Sequence, residues 1–363
     1  MSEPRRPWRW SVQRFGADND EWWATWDDIN ARSLGRHPML DSRLARLLVK
    51  YFAGSTSFRG TLHGPEDVAA QAVLVPDGRG RWSIFCPQQA SVGLLVFERS
   101  IEGNLDAMRS LFRALPGIPL ALSLPYQDPE FGWLSSAKAS LLGRLTLGTT
   151  VAIRSPNFDD YWTSRPKELR DNVRRRQRKV KEAGLESTLT VHTSAEAVAA
   201  GVDRYGLLES RGWKGKEGTA LHPDNEQGRF YREALKAFAP TGDARVYELF
   251  LGDRLAASRL VLSGPTMHVV LKVTHDEELR QYVPGHLQLH EMLKSLLTVT
   301  EQRSVELYTK ASRDWLLWAT HQRDIETLTL YRHWLIERLA SRRRARAAAL
   351  ASATQPAGAA PET

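Results

Sequence analysis

The stretch from residue 246 to 298 constrains the fold more than any other. VYELFL (246–251) and RLAASRLVL (254–262) are separated only by Gly252-Asp253, and MHVVLKV (267–273) follows Ser263-Gly264-Pro265. Linkers this short and this rich in turn formers join antiparallel neighbours, so a three-stranded meander is predicted. Its last strand runs through HDEELRQYVPGHLQLHEMLKSLL into a helix whose buried face is Leu289, Met292, Leu293, Leu296 and Leu297. A strand at 305–309 (VELYT) and an apolar run at 326–332 close the unit. Upstream, one long helix is predicted over 158–182, with Trp162, Leu169, Val173 and Val180 as a narrow stripe on a charged rod. A strand at 188–193 and helices at 195–210 and 225–238 lead from it into the meander.

The first half carries helical patterns at 20–32 and 41–52 and strand-like runs at 70–75, 82–86 and 92–98. A helix near 104–114 and a strand at 118–124 complete an α/β pattern. It shows no paired carboxylates, nucleotide loop or triad. Since 363 residues suit two domains of ordinary size, four segments are expected. They are a disordered N-terminus (1–18), a smaller α/β domain (19–154), a second domain (155–335), and a basic, then Ala/Pro-rich disordered tail (336–363).

The net charge of +8 is local. Residues 164–184 hold nine Lys/Arg against three Asp/Glu, and 337–346 hold five against one, so the rest of the chain is slightly acidic. That argues against a surface built throughout for polyanions. No apolar run reaches the roughly 18 residues of a membrane span, and the basic start is not followed by the apolar stretch of a secretory signal. The single cysteine, Cys86, excludes an intramolecular disulfide, reads as a small buried hydrophobe, and points to a reducing cytoplasm.

Chemistry is visible where the third meander strand turns into its helix. Backbone N–H groups at a helix start lack internal partners and sit at the positive end of the dipole, so they suit a pyrophosphate. Gly285 lets backbone approach a phosphate, Pro284 fits the first turn, and Arg280 adds a charge-assisted contact. His275 and His286 flank the site without metal-ligand spacing. Lys272 interrupts an apolar strand just before this loop, and such a lysine needs a partner, either Asp276 or a phosphate.

Arg280-Gln281-Tyr282-Val283-Pro284-Gly285 resembles the GNAT superfamily signature Arg/Gln-x-x-Gly-x-Gly/Ala, with Val283 in place of the middle glycine. From Phe158 onward the chain resembles the CelD/BcsL-type acetyltransferases, GNAT proteins linked to cellulose and exopolysaccharide synthesis. FDDYWTSRPKELRDNVRRRQRKVKEAG is similar to their leading helix, LLESRGWKGKEG to their Glu-x-x-x-Trp-Lys-Gly element, and LKVTHDEELRQYVPGHLQLHEMLKSL to their cofactor loop. After Glu306 the chain departs from the family, which often has a Lys-Trp or Tyr-Lys pair there.

The resemblance implies an α/β (α+β) chain ending in a GNAT fold with a mixed, largely antiparallel sheet. Related Fem-type transferases have two tandem GNAT-like units, so residues 19–154 are read as a degenerate one. It further implies an N- or O-acyltransferase that uses acetyl-CoA or another acyl-CoA on a small-molecule or saccharide acceptor in cell-envelope or exopolysaccharide metabolism. The alternatives are a Fem-like aminoacyl-tRNA-dependent transferase and a non-catalytic GNAT-like module. Glu209, Lys272 and Asp276 are the catalytic candidates, with Glu209 as general base or as the residue that orients Lys214 or Arg211. Arg280, Val283, Pro284, Gly285 and His286 are the cofactor contacts. Trp213 and Lys214 are acceptor contacts, or else core and solvated lysine. No metal is expected. The basic helix reads as a solvated face, as a surface for CoA phosphates or an acidic acceptor, or as a nucleic-acid contact; it lacks the interleaved aromatics that base stacking needs.

Overall fold

The computed structural model describes residues 8–16, 19–64, 67–133, 140–298 and 303–343. The first half supplies β1 (Arg9–Arg14), α1 (Asp20–Leu34), α2 (Ser42–Phe52), β2 (Phe58–His63), β3 (Val68–Pro76), β4 (Arg81–Ile84), β5 (Leu95–Phe97), α3 (Leu105–Ser110), β6 (Ala121–Gln127) and β7 (Leu142–Ile153). After α4 (Phe158–Ser164) and α5 (Lys167–Glu182) come β8 (Ser187–His192), α6 (Ala195–Arg211), α7 (Trp213–Lys216), α8 (Glu226–Phe238), β9 (Ala244–Leu251), β10 (Arg254–Ser263) and β11 (Met267–His275). The chain continues through α9 (Pro284–Leu296), β12 (Ser304–Glu306), α10 (Arg313–Trp318) and β13 (His321–Tyr331).

All the strands join one mixed sheet in the order β1-β2-β3-β4-β6-β13-β7-β12-β11-β10-β9-β8, with β5 beside β3. Read inward from either edge, the order repeats itself. β1, β2, β3 and β4 pair antiparallel in turn, as β8, β9, β10 and β11 do. β4 then meets β6 in parallel, just as β11 meets β12. At the centre the halves exchange their last strands. β7, from the first half, lies against β12, and β13, from the second, lies against β6. The two pair with each other along most of their length. This is the α/β architecture with a mixed, mainly antiparallel sheet that the sequence suggested.

Helices cover the sheet on both faces, which gives two apolar cores. α6 and α8 pack with the first half around Trp22, Trp23 and Trp26, and Phe52 meets Phe230 edge-on at 5.0 Å. On the opposite face, α5 and α9 bury Leu169, Val173, Val180, Leu289, Met292 and Leu293 against Tyr247, Leu249 and Val261. Each large side chain so buried contributes about 1.5–3 kcal/mol. Among the described residues, no helix is long and apolar enough to cross a membrane.

Several expectations need correction. Residues 9–14 lie in the segment expected to be disordered, yet they form the edge strand β1; a single buried Trp10, whose Nε1 donates to Ala107 O at 2.9 Å, holds it without any longer periodicity. The helix expected over 158–182 is two helices. Pro166 has no N–H to donate and pushes Arg165 into an extended conformation (φ −72°, ψ 152°), which ends α4. A helix over 334–343 runs into the tail expected from 336 onward, so residues 336–343 are ordered; residues 1–7, 17–18 and 344–363 fall outside the described residues. β7 was not expected at all.

A buried polar network ties the halves together. Arg323 on β13 donates to Asp128 after β6 through Nε (2.8 Å) and Nη2 (2.6 Å), and to Glu306 on β12 (2.8 Å). The Tyr308 hydroxyl donates to Asp128 at 3.1 Å and lies 3.0 Å from His37 Nε2. Since Met39 N–H donates to His37 Nδ1, Nε2 carries the proton and donates to Tyr308. Burial pushes the His37 pKa down from 6.5 to about 4. The folded chain thus resists a proton that the unfolded chain accepts near pH 6.5. The full contribution is present above that pH and is lost as pH falls toward 4, by about 3 kcal/mol in all. Denaturant melts of the parent and His37→Asn between pH 7 and 4.5 should show a shallower pH slope in the variant. Equal slopes would contradict this account of His37.

Candidate functional site

The site begins where a ladder stops. β11 and β12 pair through Met267, Val269 and the residue between them, against Ser304–Glu306. Beyond that point the chain after β12 follows β7 instead, with Leu307 N donating to Val151 O (3.2 Å) and Ala311 N to Thr149 O (2.8 Å). β11 stays with β10. The two strands therefore splay, and the edge of β11 from Val270 to His275 faces no strand among the described residues. A bulge lies at the mouth of the splay. Leu260 pairs with Lys272 and Val261 with Val270, so Leu271 has no counterpart.

β11 leads through a turn (Glu277–Tyr282) to the N-terminus of α9. No side chain caps that helix, and Val283, its N-cap residue, is left-handed (φ 50°, ψ 57°). A glycine takes this conformation freely and a β-branched residue does so at a cost, which explains why the related signature has glycine there. A side chain on Gly285 would meet nothing within 4 Å, so the backbone of this first turn is open. Arg280 is exposed beside it, and Pro284 is buried at the first helical position.

The turn is anchored from below by residues the sequence did not single out. Arg259, fully buried on β10, donates to Gly285 O (2.9 Å) and Gln288 Oε1 (2.8 Å). Gln288 in turn donates to Tyr247 O (2.7 Å) and Ala257 O (3.0 Å). Burial pushes the Arg259 pKa down to about 9, which leaves it charged at neutral pH. Burial also lowers the His286 pKa against the pull of Asp314, and the positive Arg259 and Arg176 add to that. The basic helix α5 therefore flanks the phosphate-ready end of α9. Lys179 Nζ lies 5.8 Å from the Tyr282 ring.

The catalytic candidates do not form one cluster. Glu209 is 3% exposed and accepts from Tyr205 Oη (3.0 Å), Lys214 Nζ (2.5 Å) and Leu221 N (2.8 Å). Both of its oxygens are engaged. Asp276 accepts from Glu278 N (2.9 Å) and Arg254 Nε (2.7 Å), so it caps the turn and is not the partner of Lys272. Trp213 is 56% exposed and is not core; its backbone N–H donates to Glu277 Oε1 at 2.8 Å. Lys272 makes no hydrogen bond or ion pair. Its Nζ lies 5.5 Å from the Tyr231 ring, and its pKa is lowered by burial and by Lys214, against the pull of Glu209.

On the α8 side, the splay opens into a cavity of about 340 Å³ between β11, residues 307–310, β7 and the first-half loop 88–91. Lys272, Tyr231, Thr150, Tyr308 and Lys310 line it. A larger hollow of about 680 Å³ touches Met267 and Ser304, at the closed end of the ladder, where no strand edge is free. The smaller cavity is the one that meets the open edge.

Residues 167–314 match the family described as "Acetyltransferase (GNAT) domain", a stretch that contains the whole splay and α9. Two solved structures share the fold over most of the chain. One is FemX, with a TM-score of 0.56 and 12% identity over 87% of this chain and 96% of that one. The other is the C-terminal domain (DUF2156) of a protein described as a lysylphosphatidylglycerol synthetase from Agrobacterium fabrum, with a TM-score of 0.53 and 13% identity over 86% and 92%. No curated protein matches the chain significantly. Residues 167–314 are thus similar to a GNAT acetyltransferase domain, and the chain shares its fold with these two structures.

The strain at Val283 is measurable. Val283→Gly relieves a left-handed β-branched residue, a cost of about 1–2 kcal/mol, and gives back about 0.5–1 kcal/mol in backbone entropy. The variant should melt at or slightly above the parent temperature. A loss of more than about 2 kcal/mol would show that packing of the valine side chain dominates.

Proposed function

We propose that this chain transfers an acyl group, acetyl by first choice, from acyl-CoA to an amine or hydroxyl of a small-molecule or saccharide acceptor. The observation that carries the reading is a free strand edge that runs from a cavity at Val270–Lys272 into an uncapped helix start. The Gly285 backbone N–H, with the Arg280 guanidinium and the His286 side chain beside it, holds the pyrophosphate, and Pro284 and the left-handed Val283 shape that turn. Arg259 and Gln288 keep the turn in place. The open edge of β11 offers backbone donors to the pantetheine amides and to an oxyanion. Bound there, acyl-CoA supplies a thioester carbonyl open to attack. The acceptor enters from the α8 side, past Lys272 and Lys214. Glu209 acts by orienting Lys214 and Tyr205, and Asp276 by holding the turn. The resemblance of the three sequence blocks to CelD/BcsL-type acetyltransferases supports a role in cell-envelope or exopolysaccharide metabolism.

Acetyl-CoA or free CoA should raise the melting temperature, by about 2.7 kcal/mol of stabilisation at a hundredfold excess over Kd. Gly285→Val blocks backbone approach to phosphate, yet the side chain meets no neighbour within 4 Å. The variant should lose CoA binding with circular dichroism unchanged. Wild-type affinity in it would place the phosphate site elsewhere.

The role of α5 is separable. Replacing Arg174, Arg175, Arg176 and Arg178 with Gln should weaken CoA binding at low salt and flatten its salt dependence, since screening acts over about 8 Å at 0.15 M. Fold stability should barely change, because exposed charges contribute little. Tight, salt-sensitive tRNA binding by the parent that vanishes in this variant would instead favour aminoacyl-tRNA as donor.

A further inference from the structure

The cavity on the α8 side has an unbalanced charge. Two lysines, Lys272 and Lys310, line it, and no aspartate or glutamate does. Neither ammonium has an ion-pair partner among the described residues. The nearest carboxylate that acts on Lys272 is Glu209, whose oxygens are already taken by Tyr205, Lys214 and the Leu221 N–H. Lys272 is half-buried with only the Tyr231 ring near its charge, and Lys310 is exposed at the opening, so a partly desolvated ammonium stands without a counter-ion. The Thr150 hydroxyl on the same wall is 4% exposed and has no hydrogen-bond partner. Tyr126 stands at the rim, 43% exposed and held at a φ of 50°, a strained conformation for a tyrosine. The remaining polar lining includes the amides of Gln88 and Gln89. A volume of about 340 Å³ suits a molecule the size of one sugar or amino acid.

We infer that the acceptor carries a carboxylate, and that Lys272, with Lys310 as a second cation, receives it in this cavity. The inference rests on the acyl-transfer reading for the word acceptor, but the binding it claims does not need CoA. The carboxylate supplies the missing counter-ion and fixes which end of the molecule faces the splay. The nucleophilic amine or hydroxyl is then left to face the β11 edge. Sugar acids and amino acids both offer this chemistry.

The test uses matched pairs that differ in charge: D-glucuronate with D-glucose, and L-alanine with L-alaninamide. Affinities are measured by calorimetry or ligand-observed NMR on the full chain, without CoA and with saturating CoA. At least one carboxylate should bind the parent tenfold or more tightly than its neutral partner, and the responding pair tells sugar acid from amino acid. Lys272→Met should abolish the preference and Lys272→Arg should keep part of it. The melting temperature of Lys272→Met should be no lower than that of the parent, because a half-buried charge without an ion-pair partner has been removed. The inference is overturned if neutral partners bind equally well, if no carboxylate binds the parent, or if Lys272→Met keeps the preference. Failure of the parent to bind CoA would instead overturn the acyl-CoA reading and leave the carboxylate result readable by itself.

Discussion

The short ladder between β11 and β12 is the constraint on which the rest of the site depends. Once the chain leaves Glu306, its backbone groups bond to Thr149 and Val151 on β7. β7 belongs to the first half, and it occupies that place because the two halves exchange their last strands. The exchange makes the splay a property of the whole chain. A backbone edge left without a partner is normally a liability in a sheet. Here it is sheltered between two helical layers, where a ligand with amide groups can take the place of a strand.

Buried polar groups hold this opening in shape. Arg259 and Gln288 join the first turn of α9 to β9 and β10 through four hydrogen bonds to named acceptors. Arg323, Asp128, Glu306 and Tyr308 do the same between the halves. Burial alone would lower the Arg323 pKa, but its bonds to Asp128 and the field of Glu306 raise it. Such networks are weak sources of net stability, because desolvation offsets most of the attraction. Their effect is on geometry: removing one member leaves the others buried and unpaired, so the arrangement is all-or-none. Lys272 and Thr150 stand apart from both networks, and that difference singles out the cavity they line.

What could be read from the sequence was local. Gly252-Asp253 and Ser263-Gly264-Pro265 specify tight turns by their own chemistry, so the meander was legible, and so was the helix after Pro284-Gly285. Pro166 carries its own stop signal, but the apolar spacing from Trp162 through Leu169, Val173 and Val180 continues across it without interruption. β1 gave almost no signal, since Trp10 is its one buried side chain and its ladder partner β2 lies about fifty residues away. Long-range pairings left no trace. His37 and Tyr308 are 271 residues apart, and Arg259 and Gln288 meet across 29 residues from different elements. Glu209 was recognisable as a carboxylate at a helix end, yet which donors would surround it depended on Leu221, brought in by the next loop. Lys272 could be flagged as odd in an apolar strand, whereas the absence of a partner is visible only in three dimensions.

The central claim is that the unpaired edge of β11 and the first turn of α9 form one ligand surface. Amide hydrogen exchange on the full chain, with and without saturating CoA, tests it directly. Open-edge amides exchange readily unless a ligand bonds them, and exchange reports opening locally along the chain. The account predicts that CoA slows exchange within 270–275 and 284–287 together, with little change in β1 to β4. Protection confined to another part of the sheet, or none at these two segments under conditions where CoA is bound, would contradict it.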